Sequence, residues 1–234
     1  MDVRRLAAIA AAVGVLGLAG AAHAEDAPFK VDFNVGANTN YEFRGVSQTD
    51  NDPSAFGGAD VAFAGIGYAG TWVSNVDFGN GTDLEYDLYA GVKPTAGPVA
   101  LDFGVLRYGY TGSPSHSHQD YWEFKAAGSV PAGPATFGVA VFYSPEFFGK
   151  TGDAVYYEFN GAGTIPNTKL SISGAIGYQQ VRGPLDYTTW NLGVGYALTD
   201  HIGLDVRYWD TDGDKATFGK LYKAQVVAGI KLTW

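Results

Sequence analysis

The residues of this 234-residue chain that could do chemistry are mostly charged, and they recur at every second position. Glu42 and Arg44 form one such pair. Asp60, Asp77, Glu85, Asp87, Glu123, Lys125, Glu158, Asp205 and Arg207 repeat the pattern in later segments. Interleaved acids and bases suit an aqueous path for ions and polar solutes, or a set of salt bridges across an enclosed space. Unpaired charges in a dry interior would be very costly, so water or pairing must accompany them. Other constellations carry less. Gly65-Ile66-Gly67-Tyr68-Ala69-Gly70 spells a dinucleotide-site pattern, but no helix follows to receive a phosphate. Asp210-Thr211-Asp212-Gly213-Asp214 looks like part of a calcium loop, yet its glycine is misplaced and no glutamate closes it. His116 and His118 have no third ligand nearby in sequence. They also lie in a polar loop, whereas a serine–histidine hydrolase needs its pair fixed beside an orienting residue. No catalytic residue, metal site or cofactor is therefore expected. Zero cysteine removes thiolate catalysis, disulfides and Cys-ligated metals. The formal net charge of −9 argues against nucleic acid as the main partner.

The elements that must position these charges begin after an address. Arg4 and Arg5 precede an apolar run from Leu6 to Leu18, and Ala22-His23-Ala24 supplies a small-x-small cleavage pattern. This is the layout of a secretory signal peptide over residues 1–24, cut after Ala24. Residues 25–234 then form one domain outside the cytoplasm.

From Phe29 onward the period is two. Phe29, Val31, Phe33, Val35, Ala37, Thr39, Tyr41 and Phe43 fall on one face, and Lys30, Asp32, Asn34, Gly36, Asn38, Asn40, Glu42 and Arg44 on the other. A strand points successive side chains to opposite faces, so this reads as one long two-faced strand. The alternation recurs around Leu84–Val92, Val99–Val105, Trp122–Lys125, Phe137–Tyr143, Tyr157–Phe159, Leu170–Tyr178, Trp190–Tyr196 and Ile202–Tyr208, and more weakly around Asp60 and Trp72. Short turns alternate with longer loops, the asymmetry of an outer-membrane barrel with tight periplasmic turns and long external loops. The expected fold is all-β: a transmembrane antiparallel up-and-down β-barrel of about twelve strands, with both chain ends on the periplasmic side.

The last strand is the sharpest signal. Tyr222, Ala224, Val226, Ala228, Ile230, Leu232 and Trp234 are apolar at every second position, and the sequence ends on the aromatic. Ile230, Leu232 and Trp234 resemble the sorting signal read by the barrel assembly machinery. Tyr41, Phe43, Trp72, Phe78, Tyr143, Tyr157, Tyr178, Trp190, Tyr196, Tyr208 and Tyr222 are expected on the outer face, as interfacial girdles.

The run NVGANTNYEFRGVSQTD at 34–50 is similar to the opening motif of the TorF family, also called the Gcw_chp family. YAGTWVSNVDFG at 68–79, LEYDLYAGVK at 84–93, YSPEFFG at 143–149 and DYTTWNLGVGYAL at 186–198 also match. The resemblance spans essentially the whole chain after the signal. It implies an outer-membrane barrel carrying a porin label, and it assigns neither substrate nor catalytic residues.

The residues and the resemblance together lead to one expectation. The protein is a porin-like channel for passive diffusion of ions or small hydrophilic solutes in a bacterial outer membrane, in contact with lipid and lipopolysaccharide. Glu42 and Arg44, among Glu85, Glu123 and Glu158, are the expected constriction. The external loops carry Asp50, Asp52, Asp83, Asp120, Glu146, Asp153, Asp186, Asp210, Asp212 and Asp214 against only Lys150, Arg182, Lys215 and Lys220. An acidic mouth concentrates cations, so a mild cation preference follows. The alternatives are a closed-lumen structural or adhesive barrel and an outer-membrane enzyme. Pairing of the inward charges would point to the former, and a histidine bonded to a serine or an acid to the latter.

Overall fold

A computed structural model describes residues 29–63, 65–182, 186–213 and 219–234. The signal segment with its cleavage site after Ala24, and the loop residues Asp214 and Lys215, lie outside the described residues. In chain order the strands are β1 (Phe29–Asn38), β2 (Glu42–Phe43), β3 (Val46–Ser47), β4 (Ser54–Phe63), β5 (Gly67–Asn75), β6 (Leu84–Val92), β7 (Thr95–Ala96), β8 (Val99–Thr111), β9 (Tyr121–Ala132), β10 (Ala135–Ser144), β11 (Ala154–Thr164), β12 (Leu170–Val181), β13 (Tyr187–Ala197), β14 (Ile202–Thr211) and β15 (Gln225–Thr233).

Twelve of these form a ring of antiparallel neighbours. β1 pairs with β4, each long strand pairs with the next, and β15 returns to β1, while two-residue β7 only extends the edge of β8. The seam is fixed where Val35 opposes Leu232, and Phe33 and Trp234 exchange backbone hydrogen bonds of 2.9 and 3.1 Å. Their rings stack 6.1 Å apart. A closed ring pairs its strands on both sides, as hydrocarbon demands.

The faces are inverted relative to a soluble protein. Phe33, Val139, Phe159, Leu192, Val206 and Val226 point outward, the last of these 65% exposed. A continuous apolar band of this extent is a lipid-facing surface. Tyr143, Tyr157, Tyr178, Trp190, Tyr196 and Tyr208 lie outward in it, near strand ends.

Five aromatics expected outside are not there. Trp72 opposes Gly58 across the β4–β5 pair, and opposed residues share a face, so its indole points into the bore and is buried. Tyr41, Phe43 and Phe78 pack in the interior, and Tyr222 sits edge-on against inward Tyr187. The long first strand is likewise shorter than its alternation suggests. It leaves the barrel at Asn38, and residues 39–53 turn inward as a separate hairpin of β2 and β3.

Candidate functional site

The site is the bore, and the segment 39–53 divides it. Gln48 N–H donates to the Tyr41 carbonyl at 2.7 Å, closing the hairpin. Asn40 organises it further: its Oδ1 accepts from the Ser47 hydroxyl at 2.7 Å, and its Nδ2 donates to Glu42 Oε1, also at 2.7 Å. The tip turns at Arg44 (φ 50°) and Gly45 (φ 78°). The left-handed region suits glycine, and a Cβ on Gly45 would fall inside the Thr189 side chain of β13.

The wall receives this hairpin with charge and aromatic rings. Arg44 makes a two-pronged pair with Glu123 of β9, Nη1 to Oε1 at 2.8 Å and Nη2 to Oε2 at 2.7 Å. Nη1 also donates to Gln179 Oε1 of β12 at 3.0 Å. The guanidinium carbon lies 4.3 Å from the Tyr156 ring centroid and 5.0 Å from that of Phe142. Tyr41 donates its hydroxyl to Glu85 Oε1 at 2.8 Å. Tyr108 donates to Glu123 at 3.1 Å and stacks on Tyr121. Phe78, Tyr110 and Phe148 pack above, where the β10–β11 loop covers the long-loop mouth. Aromatic and aliphatic side chains fill the long-loop half of the bore.

The short-turn half is polar and more exposed. Lys125 pairs with Asp102 at 2.7 Å, Tyr68 donates to the same acid at 2.8 Å, and Tyr89 donates to Asp60 at 2.6 Å. Arg207 pairs with Asp205 at 3.2 Å and donates to Asn191 Oδ1 at 2.6 Å and Ser173 Oγ at 2.7 Å. Glu158 accepts from Asn160 at 2.8 Å and from Tyr156 at 3.2 Å.

Of the expected constriction group, Arg44 meets Glu123 directly, and Glu85 is tied to the same inserted segment through Tyr41. Glu158 lies apart, lower on β11. Glu42 turns away from Arg44 toward Asn40 and β14. Asp77 is exposed in the β5–β6 loop, where its carboxylate accepts from the Gly79 amide. Asp60, Glu85, Asp87, Lys125, Asp205 and Arg207 all project inward. Asp87 is fully buried, and neither carboxylate oxygen has a hydrogen-bond partner among the described residues. Ile230, Leu232 and Trp234 point outward at the seam.

Leu106, Tyr108, Tyr121, Phe142, Tyr156 and Gln179 were not singled out from sequence, although they contact the inserted segment or its acids. Parity was the available signal. With Val99, Leu101, Phe103 and Val105 outside, Leu106, Tyr108 and Tyr110 must face in. Aromatics on the inward side of a barrel strand indicate a filled bore.

Two groups of the inserted segment are shifted. Burial pushes Glu42 up to about 8, opposed by its hydrogen bond from Asn40. Burial alone would lower the Arg44 guanidinium, but Glu123 beside it holds it above its ordinary value. Among the described residues no group of three His, Asp or Glu could hold a metal, and neither loop histidine ring bonds a serine or an acid.

The model of the Gcw_chp family, described as a bacterial protein of unknown function, matches residues 22–234. The chain belongs to that family. No curated protein matches it in sequence. Among solved structures it is similar to the KdgM porin, at TM-score 0.59 and 11% identity, over 87% of this chain and 98% of that one. It is also similar to the NanC porin (TM-score 0.57, 9% identity, 88% and 99% covered). A third is the COG4313 outer membrane channel from Pseudomonas putida F1 (TM-score 0.52, 9% identity, 87% and 94% covered). At such identities the likeness is one of fold.

Proposed function

We propose that this protein is an outer-membrane porin-like channel for ions and small hydrophilic solutes, narrowed by its inserted segment 39–53. One observation carries the reading: a closed barrel, apolar outside, keeps Asp60, Asp102, Asp205 and Arg207 partly exposed in its bore. Such a bore is wet, because charges of this number are not sustained in a dry one. The porin folds it shares support the same reading. The protein is exported by a signal peptide cut after Ala24, and residues 25–234 form its single domain. Its short turns face the periplasm, its long loops face outward toward lipopolysaccharide, and the assembly machinery reads its terminal strand. It performs no chemistry on what it passes.

A mild cation preference belongs to this proposal. Asp50, Asp52, Asp77, Asp83 and Asp120 lie at the long-loop mouth, and the inner acids Glu85, Asp87 and Glu123 outnumber the one guanidinium among them, Arg44.

A second reading has its own observation. The pairs Arg44–Glu123, Lys125–Asp102 and Arg207–Asp205 neutralise one another, as in a closed structural barrel. Planar-bilayer recording under a salt gradient separates the two. Discrete steps with a cation-favouring reversal potential support the channel. Silence from a barrel shown to be folded by heat-modifiable gel mobility supports the closed form.

A further inference from the structure

We propose that the bore holds a binding site for a primary alkylammonium ion, between the inserted segment and β14, with Glu42 as its anionic partner and two indoles as its walls. This names the solute class of the channel proposed above, and as a statement about transport it rests on that reading.

The site is a cleft on the underside of the hairpin, lined by Tyr41, Glu42, Trp72, Asp205, Arg207 and Trp209. Glu42 is 5% exposed. Its Oε1 accepts from Asn40, while its Oε2 has no partner among the described residues. A buried carboxylate oxygen without a donor is costly, and a ligand that supplies one recovers that cost.

The neighbouring cation is already committed. Arg207 divides its donors among Asp205, Asn191 and Ser173, so the β14 pair is neutral by itself. The other titratable groups facing Glu42 are phenols, Tyr41 of its own segment and Tyr187 of β13. Once ionised, Glu42 therefore gives the cleft one negative charge to offset.

The ligand chemistry follows from the walls. Trp72 and Trp209 line the cleft, and each is 8% exposed. Indole faces attract a cation and cover apolar carbon. A hard divalent ion wants several oxygens, and among the described residues no three acids come together here. A quaternary ammonium has no N–H for Oε2. A primary ammonium supplies charge, N–H donors and an alkyl tail, which together match carboxylate and indoles.

The site is tested by titrating the folded protein in detergent micelles with n-butylammonium chloride and following tryptophan emission. A saturable change is expected. Because Glu42 carries a proton below about pH 8 in the empty protein, affinity should fall roughly tenfold per pH unit below that value. Glu42→Gln should weaken binding roughly thirtyfold or more and abolish its pH dependence. Tetramethylammonium, which needs no variant and so no refolding control, should bind at least roughly tenfold more weakly. No saturable change, equal affinity for the two ammonium ions, or affinity in Glu42→Gln matching the wild type would overturn the site. The titration does not require current. A channel that conducts without it loses the site and remains a channel, whereas a titration without current keeps the site and ends the transport reading.

Discussion

Arg44 and Glu123, seventy-nine positions apart in sequence, meet inside the barrel through two parallel hydrogen bonds of 2.8 and 2.7 Å. Arg44 sits at the tip of the inserted hairpin and Glu123 on the wall, so this pair fastens the one to the other. Removing one partner of a buried pair costs about 3–5 kcal/mol, because the other charge is left stranded. Releasing the hairpin into the bore would re-expose Glu123 to water and avoid that cost. Arg44→Ala is therefore expected to raise single-channel conductance while the barrel keeps its heat-modifiable mobility. Unchanged current would remove Arg44 from the constriction.

Replacing both partners has the opposite expectation. A buried ion pair exchanged for apolar side chains of similar volume is often neutral or stabilising by about 1–4 kcal/mol. Arg44→Met combined with Glu123→Leu should return conductance toward the wild-type value, since the hairpin again has an apolar seat among Phe142 and Tyr156. A double variant as open as Arg44→Ala would show that the charge pair acts by something other than anchoring.

Gly45→Ala tests the same docking without touching charge. The residue stands at φ 78°, and a methyl group there would overlap Thr189. The hairpin should dock less well, giving larger or flickering conductance steps. Quiet wild-type steps would mean that the tip tolerates the methyl group.

The stability of the folded barrel should fall as pH rises through the window set by Glu42. Its carboxyl ionises near 4.5 in an unfolded chain and at about 8 when buried. Between those values the folded state binds the extra proton, so stability is fully present below the lower value and is lost as pH approaches the upper one. Urea unfolding midpoints near pH 5, 7 and 9 should decline in the wild type. The decline should be smaller in Glu42→Gln, and an equal slope in both would assign the effect elsewhere.

Asp87 is a buried carboxyl with no hydrogen-bond partner among the described residues, on the same inward row as Glu85. Asp87→Asn replaces an acid whose ionised form nothing offsets, and the urea midpoint should rise, most at alkaline pH. A lower midpoint would mean that Asp87 is paired in solution.

The barrel was legible in the sequence because a wall strand must alternate, with lipid on one side and the bore on the other. The ring, its short-turn and long-loop ends, and the inward charges all follow from that period. The inserted hairpin was not legible, and Tyr41 and Phe43 explain why. They continue the two-residue period of β1 without a break, so alternation alone placed them on the outer face. Period two reports that a segment is extended, not which surroundings its faces meet. The only local sign of departure was Asn40 with Arg44-Gly45, a run able to turn where a wall strand should continue. Trp72 failed for a related reason: its face is set by register against Gly58, which sequence spacing through the β4–β5 turn does not fix.

The central claim is that a polar bore, narrowed by residues 39–53, passes ions. Single-channel recording of the folded protein in a planar bilayer under a potassium chloride gradient tests it most directly. The account predicts small discrete steps whose reversal potential favours potassium over chloride. Silence from a barrel proven folded, or selectivity for chloride, would contradict it.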